Sequence, residues 1–403
     1  MRQIVWILLL ISGICIFCTC SESNAIDPDK EIQYCIDKAL LTLDTGFEEG
    51  FMPRNIKKGE QSWNVSRLSN WTSGYWPGIL WYLYEYTQDE IWLQQAKKYT
   101  NFLEPNQETF YNMQDMGLTV YLSFGNGYKL TGNPYYKEVL LKSAEKLAEL
   151  FNQNDSHPHC NNPFSEFRVE NHNSIINSIM NLNLLFWAGK NGRPDIFEIA
   201  LNHADAHVNK TLFSQNHETS VTAKRAYAAH SQPQTSYLQA RHSYFWSKGL
   251  CWSLYGYTMT YRETGEPRFL DEAQSLANFF IDNLPIDNIP YWSFSSDYPI
   301  EGIKDASAAA IAASALLELS SLTENLELKD TYFDSAQAML KTLSSRMYKS
   351  RKTNHAFLLH SVGYISNFTE LDVSIIYADY YYLEALIRYR DIINKSGNLL
   401  TKR

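Results

Sequence analysis

The sequence predicts an all-α protein closed into an (α/α)6 barrel, and three observations carry that expectation. From Asp29 onward helix follows helix, with little period-2 alternation and no sustained Gly- or Pro-rich linker. A weak repeat recurs: a turn, often with Pro near the helix start, then an aromatic and a small residue one or two turns later. Before each copy runs a more apolar helix, and a sixth such helix completes the number that closes this barrel type. An open α-solenoid is the competing architecture.

The repeat begins at Thr87-Gln88-Asp89, leading to Trp92 and Ala96. Thr131-Gly132-Asn133-Pro134 leads to Tyr136 and Ala144, and Gly192-Arg193-Pro194 to Phe197 and Ala200. Thr264-Gly265-Glu266-Pro267 leads to Phe269 and Ala273, and a degenerate copy to Tyr332 and Ala336. The apolar inner helices are expected over residues 75–86, 116–130, 175–188, 249–261, 306–319 and 373–389. Together they form one barrel domain, residues 29–395.

The first residues read as an export signal: Met1-Arg2-Gln3, an apolar run from Ile4 to Phe17, then Cys18-Thr19-Cys20-Ser21. Cys20, followed by Ser21-Glu22-Ser23 and a linker over 21–28, is similar to a bacterial lipoprotein cleavage site, which would acylate Cys20 and attach the chain to a membrane. Simple secretion is the alternative. Cys15, Cys18 and Cys20 have metal-like spacing but lie in or beside the apolar run, so they are not read as a metal site. No metal cluster or nucleotide loop is visible, and no cofactor is implied. The net charge of −9 argues against nucleic acid as a partner. With 14% aromatics, among them 27 Tyr and 10 Trp, the chain suits either a polar cavity lined by flat rings or a Tyr-rich core.

In such a barrel the N-termini of the inner helices converge on one mouth, and residues there are the site candidates. Asp115 leads them. It precedes an apolar and aromatic run (Met116, Leu118, Val120, Tyr121, Leu122, Phe124), where a carboxylate would lose solvation and its pKa would rise toward the range useful for proton transfer. The alternative is a solvated charge favoured by the helix dipole. Trp71, Trp76, Asn177, Trp246, Lys248 and Trp252 occupy equivalent places, as do Asp305, Asp372 and Asp379. Asp305 reads equally as an N-cap, and Asp372 and Asp379 as structural hydrogen bonders. The loops over 163–173, 217–241 and 290–304 are polar and aromatic, as a ring-shaped polar ligand requires.

Several stretches resemble glycoside hydrolase family 88, the unsaturated glucuronyl hydrolases. They are Trp71-Thr72-Ser73-Gly74-Tyr75-Trp76-Pro77-Gly78, Asp115-Met116-Gly117 with Gly125-Asn126-Gly127-Tyr128, and Met180-Asn181-Leu182. The stretches over 246–256 and 305–317, His360-Ser361-Val362-Gly363 and Tyr377-Ala378-Asp379-Tyr380-Tyr381 continue the likeness in order. Family 105 is the near neighbour. The resemblance implies the same barrel and an unsaturated uronate-containing oligosaccharide as substrate, made by polysaccharide lyases. It further implies proton addition at C4 and water addition at C5, rather than the usual two-carboxylate hydrolysis.

By resemblance Asp115 is one of two acting aspartates, and Trp71, Trp76, Gln239, Trp246, Lys248, Trp252, His360 and Ser361 hold substrate. The second aspartate's place is taken by Asn177, whose amide cannot shuttle a proton. Lys248 stands where the family has Arg, so a fork becomes a point charge. These departures keep two other readings open: a catalytically silent sugar-binding barrel, and an enzyme of altered uronate or sulfate specificity using Lys224, Arg225 and Arg241. His172 beside Glu170 is a substitute acid or base candidate, against the commoner reading of a solvated loop His.

Overall fold

Asp27 opens the first helix by accepting the amide of Lys30 at 3.2 Å, and Pro28 follows where its missing N–H costs nothing. The computed structural model describes residues 26–104, 115–150, 179–211, 246–294, 302–363 and 370–400. Outer helices are α1 (Pro28–Thr45), α3 (Glu90–Phe102), α5 (Pro134–Leu150), α7 (Pro194–Thr211), α9 (Pro267–Asp282) and α11 (Leu326–Leu343). Inner helices are α2 (Tyr75–Thr87), α6 (Leu182–Lys190, entered through the 3-10 turn Ile179–Asn181), α8 (Ser247–Thr264), α10 (Ala306–Leu322) and α12 (Ile376–Leu400). The remaining inner helix, α4, runs as Met116–Val120, a π-turn Tyr121–Gly125, and Asn126–Thr131.

Composition separates the two rings. Every residue of α10 from Ala306 to Leu317 is buried, as an all-round apolar helix must be. Outer helix α9 buries only Phe269, Glu272, Ala273, Leu276, Ala277 and Phe280, a single 3–4-spaced stripe. The aromatic and small residues of the repeat are the packing pairs: Trp92 and Ala96, Tyr136 and Ala144, Phe269 and Ala273, and Tyr332 and Ala336 are all buried. Neighbouring inner helices touch in turn, and α12 packs back on α2. The ring is closed, not an open solenoid.

Three short strands correct the purely helical expectation. β1 (Phe51–Ile56) lies between β2 (Asn64–Arg67) and β3 (Ser374–Ile375), antiparallel to both, with Phe51 opposite Arg67 and Asn55 opposite Ile375. The last inner helix therefore begins at Ile376, not at 373. Val373 instead pairs with Ser361 in a single bridge. Pro53, the register shift beside it and the brevity of the strands concealed the period-2 signal.

Facing stripes of the inner helices fill the axis. Tyr377, Tyr381, Glu384 and Arg388 lie on one face of α12, Lys248, Trp252, Tyr255 and Arg262 on one face of α8, and Tyr75 and Tyr82 on α2. Buried Glu384 accepts hydroxyls from Tyr82 at 2.7 Å, Tyr255 at 3.0 Å and Ser314 at 2.5 Å. Below it Arg388 reaches Glu318 at 2.9 Å and the Ser314 carbonyl at 2.8 Å, while Arg262 pairs with Glu318 and donates to Asn183 at 2.9 Å. This polar plug closes the far end of the barrel. Glu384→Ala takes the acceptor from three buried hydroxyls and leaves a cavity, so it is expected to lose roughly 3–5 kcal/mol of stability, measured by denaturant unfolding.

Candidate active site

Asp115 is the residue immediately before α4, and its side chain makes no capping hydrogen bond to that helix. It keeps an opening to solvent, yet protein surrounds the carboxyl. That desolvation pushes its pKa up to about 6, against a lowering hydrogen bond from Asn181. A group poised near 6 both gives and takes a proton close to neutral pH. The helix-dipole alternative, a solvated cap, does not describe it.

Beside Asp115 stands an aromatic wall. Trp71 stacks on Tyr377 with centroids 5.1 Å apart and planes 30° from parallel, and meets Tyr75 edge-on at 5.9 Å. Trp252 packs against Tyr381 at 5.4 Å and Tyr377 at 6.2 Å. The Tyr75 phenol stays protonated, because burial holds its pKa well above 10 and the neighbouring Asp115 adds to this. Flat faces next to an acid suit a flattened sugar ring. Half-buried Trp246 opens α8, and its ring covers Gly249 so closely that a Cβ there would sit 2.6 Å from it.

Lys248 and Trp76 are corrections to the substrate-binding set. Lys248 is buried: its Nζ pairs with Asp305 at 3.3 Å and donates to the Tyr377 hydroxyl at 2.8 Å and to the Val362 carbonyl. Burial alone would lower its pKa, but the Asp305 carboxylate and Tyr377 reverse this and leave it raised. The lysine thus holds Tyr377 from behind and offers no free charge to a ligand. Trp76 is buried too, edge-on to Phe47 and Tyr99, because it points about 100° away from Tyr75 around α2 and into the outer ring.

His360 and Ser361 form part of the segment beside the helix starts. The His360 carbonyl accepts the Ala306 amide at 2.9 Å, and its ring Nδ1 meets Asp372 at 2.5 Å, with Lys58 on the other carboxylate oxygen at 2.9 Å. Both His360 and Asp372 have left-handed backbone, φ 63° and 55°. Ser361 is fully buried and pairs through its backbone with Val373. Asp305 is an N-cap, accepting Ser307 N–H at 3.1 Å, and Asp379 accepts the amides of Phe357 at 2.8 Å and Leu358 at 3.0 Å. Both are structural. Asn177, Gln239, His172, Glu170, Lys224, Arg225, Arg241 and Cys20 lie outside the described residues.

Other contributors were not foreseen as individual residues. Arg54 grips Glu370 through Nε at 2.8 Å and Nη2 at 3.0 Å, and reaches Asn70 at 2.7 Å. Asn70 in turn accepts the amide and hydroxyl of Thr72, fixing the turn that carries Trp71. Asn-x-Thr with an upstream Arg carries no distinctive local signal. Among the described residues no group of three or more His, Cys, Asp or Glu is arranged to hold a metal ion.

The two tryptophans separate packing from binding. Trp76→Ala is expected to cost roughly 3–5 kcal/mol in thermal unfolding while KM of the folded enzyme stays near normal. Trp71→Ala is expected to leave stability within about 1 kcal/mol and to raise KM roughly tenfold.

With the geometry described, comparison with known proteins is informative. The family model Glycosyl Hydrolase Family 88 matches residues 47–389. An unsaturated glucuronyl hydrolase of Formosa agariphila is 34% identical over 425 residues, covering 98% of this chain and 100% of that protein. An unsaturated chondroitin disaccharide hydrolase of Streptococcus pneumoniae is 28% identical, covering 89% of this chain and 92% of its own. The crystal structure of an unsaturated glucuronyl hydrolase specific for heparin superposes with TM-score 0.76 at 30% identity, over 91% of this chain and 98% of that one. The unsaturated glucuronyl hydrolase of Bacillus sp. GL1, at 23% identity and TM-score 0.72 over 90% and 96%, has the same fold. The chain belongs to glycoside hydrolase family 88.

Proposed function

We infer that the protein is a hydrolase releasing the terminal 4,5-unsaturated uronic acid from oligosaccharides left by polysaccharide lyases, in the breakdown of glycosaminoglycan-like polymers. The observation that carries this is Asp115, a desolvated carboxyl with pKa about 6 beside the Trp71–Tyr377 stack. The relatives named unsaturated glucuronyl hydrolase and unsaturated chondroitin disaccharide hydrolase support the substrate class.

In the reaction, the protonated carboxyl of Asp115 gives its proton to C4. The double-bond electrons form the new C–H bond, and the positive charge left at C5 is shared with the ring oxygen. Water bonds to C5 and returns a proton to the Asp115 carboxylate, so the acid is regenerated. The hemiketal opens and the aglycone leaves. With Asn177 unable to carry a proton, both transfers fall to Asp115. A second reading, sugar binding without turnover, rests on that same asparagine.

Loss of the conjugated double bond's absorbance on a panel of sulfated and unsulfated unsaturated disaccharides decides between them. Decay is expected with at least one member. No decay, with binding still seen by calorimetry, establishes the silent barrel. Asp115→Asn is expected to abolish decay.

The pH dependence follows from the same carboxyl. The step at C4 needs its protonated form, so turnover is expected to fall on the alkaline side with an apparent pKa near 6. Because the folded-state pKa lies above the ordinary 3.8, the folded state binds the proton more tightly, and stability is lost as pH rises from about 4 to 6. Asp115→Asn removes that loss. The variant is expected to unfold less readily than the parent above pH 6, by up to ~3 kcal/mol, with the difference vanishing near pH 4.

The site of action is outside the cytoplasm, with the barrel tethered through acylated Cys20. The apolar run from Ile4 to Phe17 and the polar linker after Cys20 support this. Fatty-acid labelling of the expressed protein, lost in Cys20→Ser, checks it.

A further inference from the structure

We propose that Asn181 is a positioning residue for Asp115, fixing its carboxyl against the start of α4 with one amide that works at both ends. Asn181 precedes α6, where an asparagine ordinarily caps its own helix, yet it makes no cap hydrogen bond there. The side chain is 1% exposed and turns to the neighbouring inner helix instead. Its Oδ1 accepts the Leu118 amide at 2.9 Å, one of the first-turn N–H groups that α4 cannot satisfy internally.

That bond settles the orientation of the amide. An oxygen committed to an N–H donor leaves Nδ2 as the other arm, and Nδ2 can only donate. It donates to Asp115. The carboxyl therefore meets a fixed donor, which favours its ionised form, the form that must take a proton from water. Gly117 makes the approach possible: a Cβ there would lie 2.8 Å from Asn181 Oδ1, 2.9 Å from Asn181 Cβ and 2.7 Å from Leu147. Facing the start of α4 are Tyr75 from α2, Leu147 from α5 and Asn181 itself. Tyr75 stays protonated, so none of the three brings a charge.

The activity arm of the test rests on the hydrolase reading; a second arm does not. Asn181→Leu keeps the volume and removes both hydrogen bonds. Asn181→Asp keeps an acceptor for Leu118 but cannot donate when ionised. Both variants are expected to move the alkaline limb of the pH–rate profile upward by about one unit and to lower the limiting kcat on the acid side of that limb about tenfold, with KM within about twofold. The carboxyl carbon-13 resonance of Asp115, in aspartate-labelled protein and assigned by its absence in Asp115→Asn, is expected to titrate higher by the same amount.

A purely structural asparagine would lower the unfolding temperature and leave both the limb and the resonance in place; that result overturns the proposal. If Asn181→Leu does not fold, Asn181→Asp and Gly117→Ala are read in the same way. A wild type without turnover whose Asp115 resonance still shifts in the variants sinks the hydrolase reading and leaves the role of Asn181 standing.

Discussion

Glu384 ties hydroxyls from three different inner helices to a fourth, and the usable depth of the barrel depends on that tie. Six helices around an axis leave a channel that either fills with side chains or admits water. Here the far half is filled by carboxylates, guanidiniums and phenols that hydrogen-bond one another. The near half is left to aromatic faces and one acid. The axis of the barrel is thus closed from below by polar side chains and not by apolar ones.

Three aspartates at the mouth show how surroundings divide one side chain into different roles. Asp305 accepts hydrogen bonds from its own helix and pairs with Lys248, which makes it a cap and an anchor. Asp379 has a pKa pushed to about 8, higher than that of Asp115, although two backbone amides oppose the shift. It is nonetheless enclosed, with both oxygens committed to the chain between Phe357 and Leu358. The size of a shift does not identify the acid of a reaction. Asp115 alone of the three combines a moderate shift with an open side and an aromatic wall, which is what the proposed reaction asks of its acid.

The barrel was legible because its pattern is long-range and redundant. Five aromatic–small pairs and six apolar helices agreed with one another, and four of the five pairs are buried as complete pairs. Strands of two, four and six residues had no such support, which is why β3 was read as the first turn of α12. Asp115 stood out as a charge in an apolar run. Trp76 and Lys248 were misread for different reasons: position near a helix start does not say which way Trp76 turns around its helix, and Lys248 faces the axis with its charge already taken by Asp305 and Tyr377. Asn181 was seen only as part of a motif, since its partners are Asp115 and Leu118, more than sixty positions earlier in the sequence.

The stack of Trp71 on Tyr377 joins the entry to the first inner helix with the first turn of the last. No shorter stretch of the chain contains both rings, and no partially wound ring brings them together. The stack is therefore a property of the finished circle alone. An emerging or partly unravelled chain lacks the stack, and any ligand that binds only the closed ring favours it by mass action.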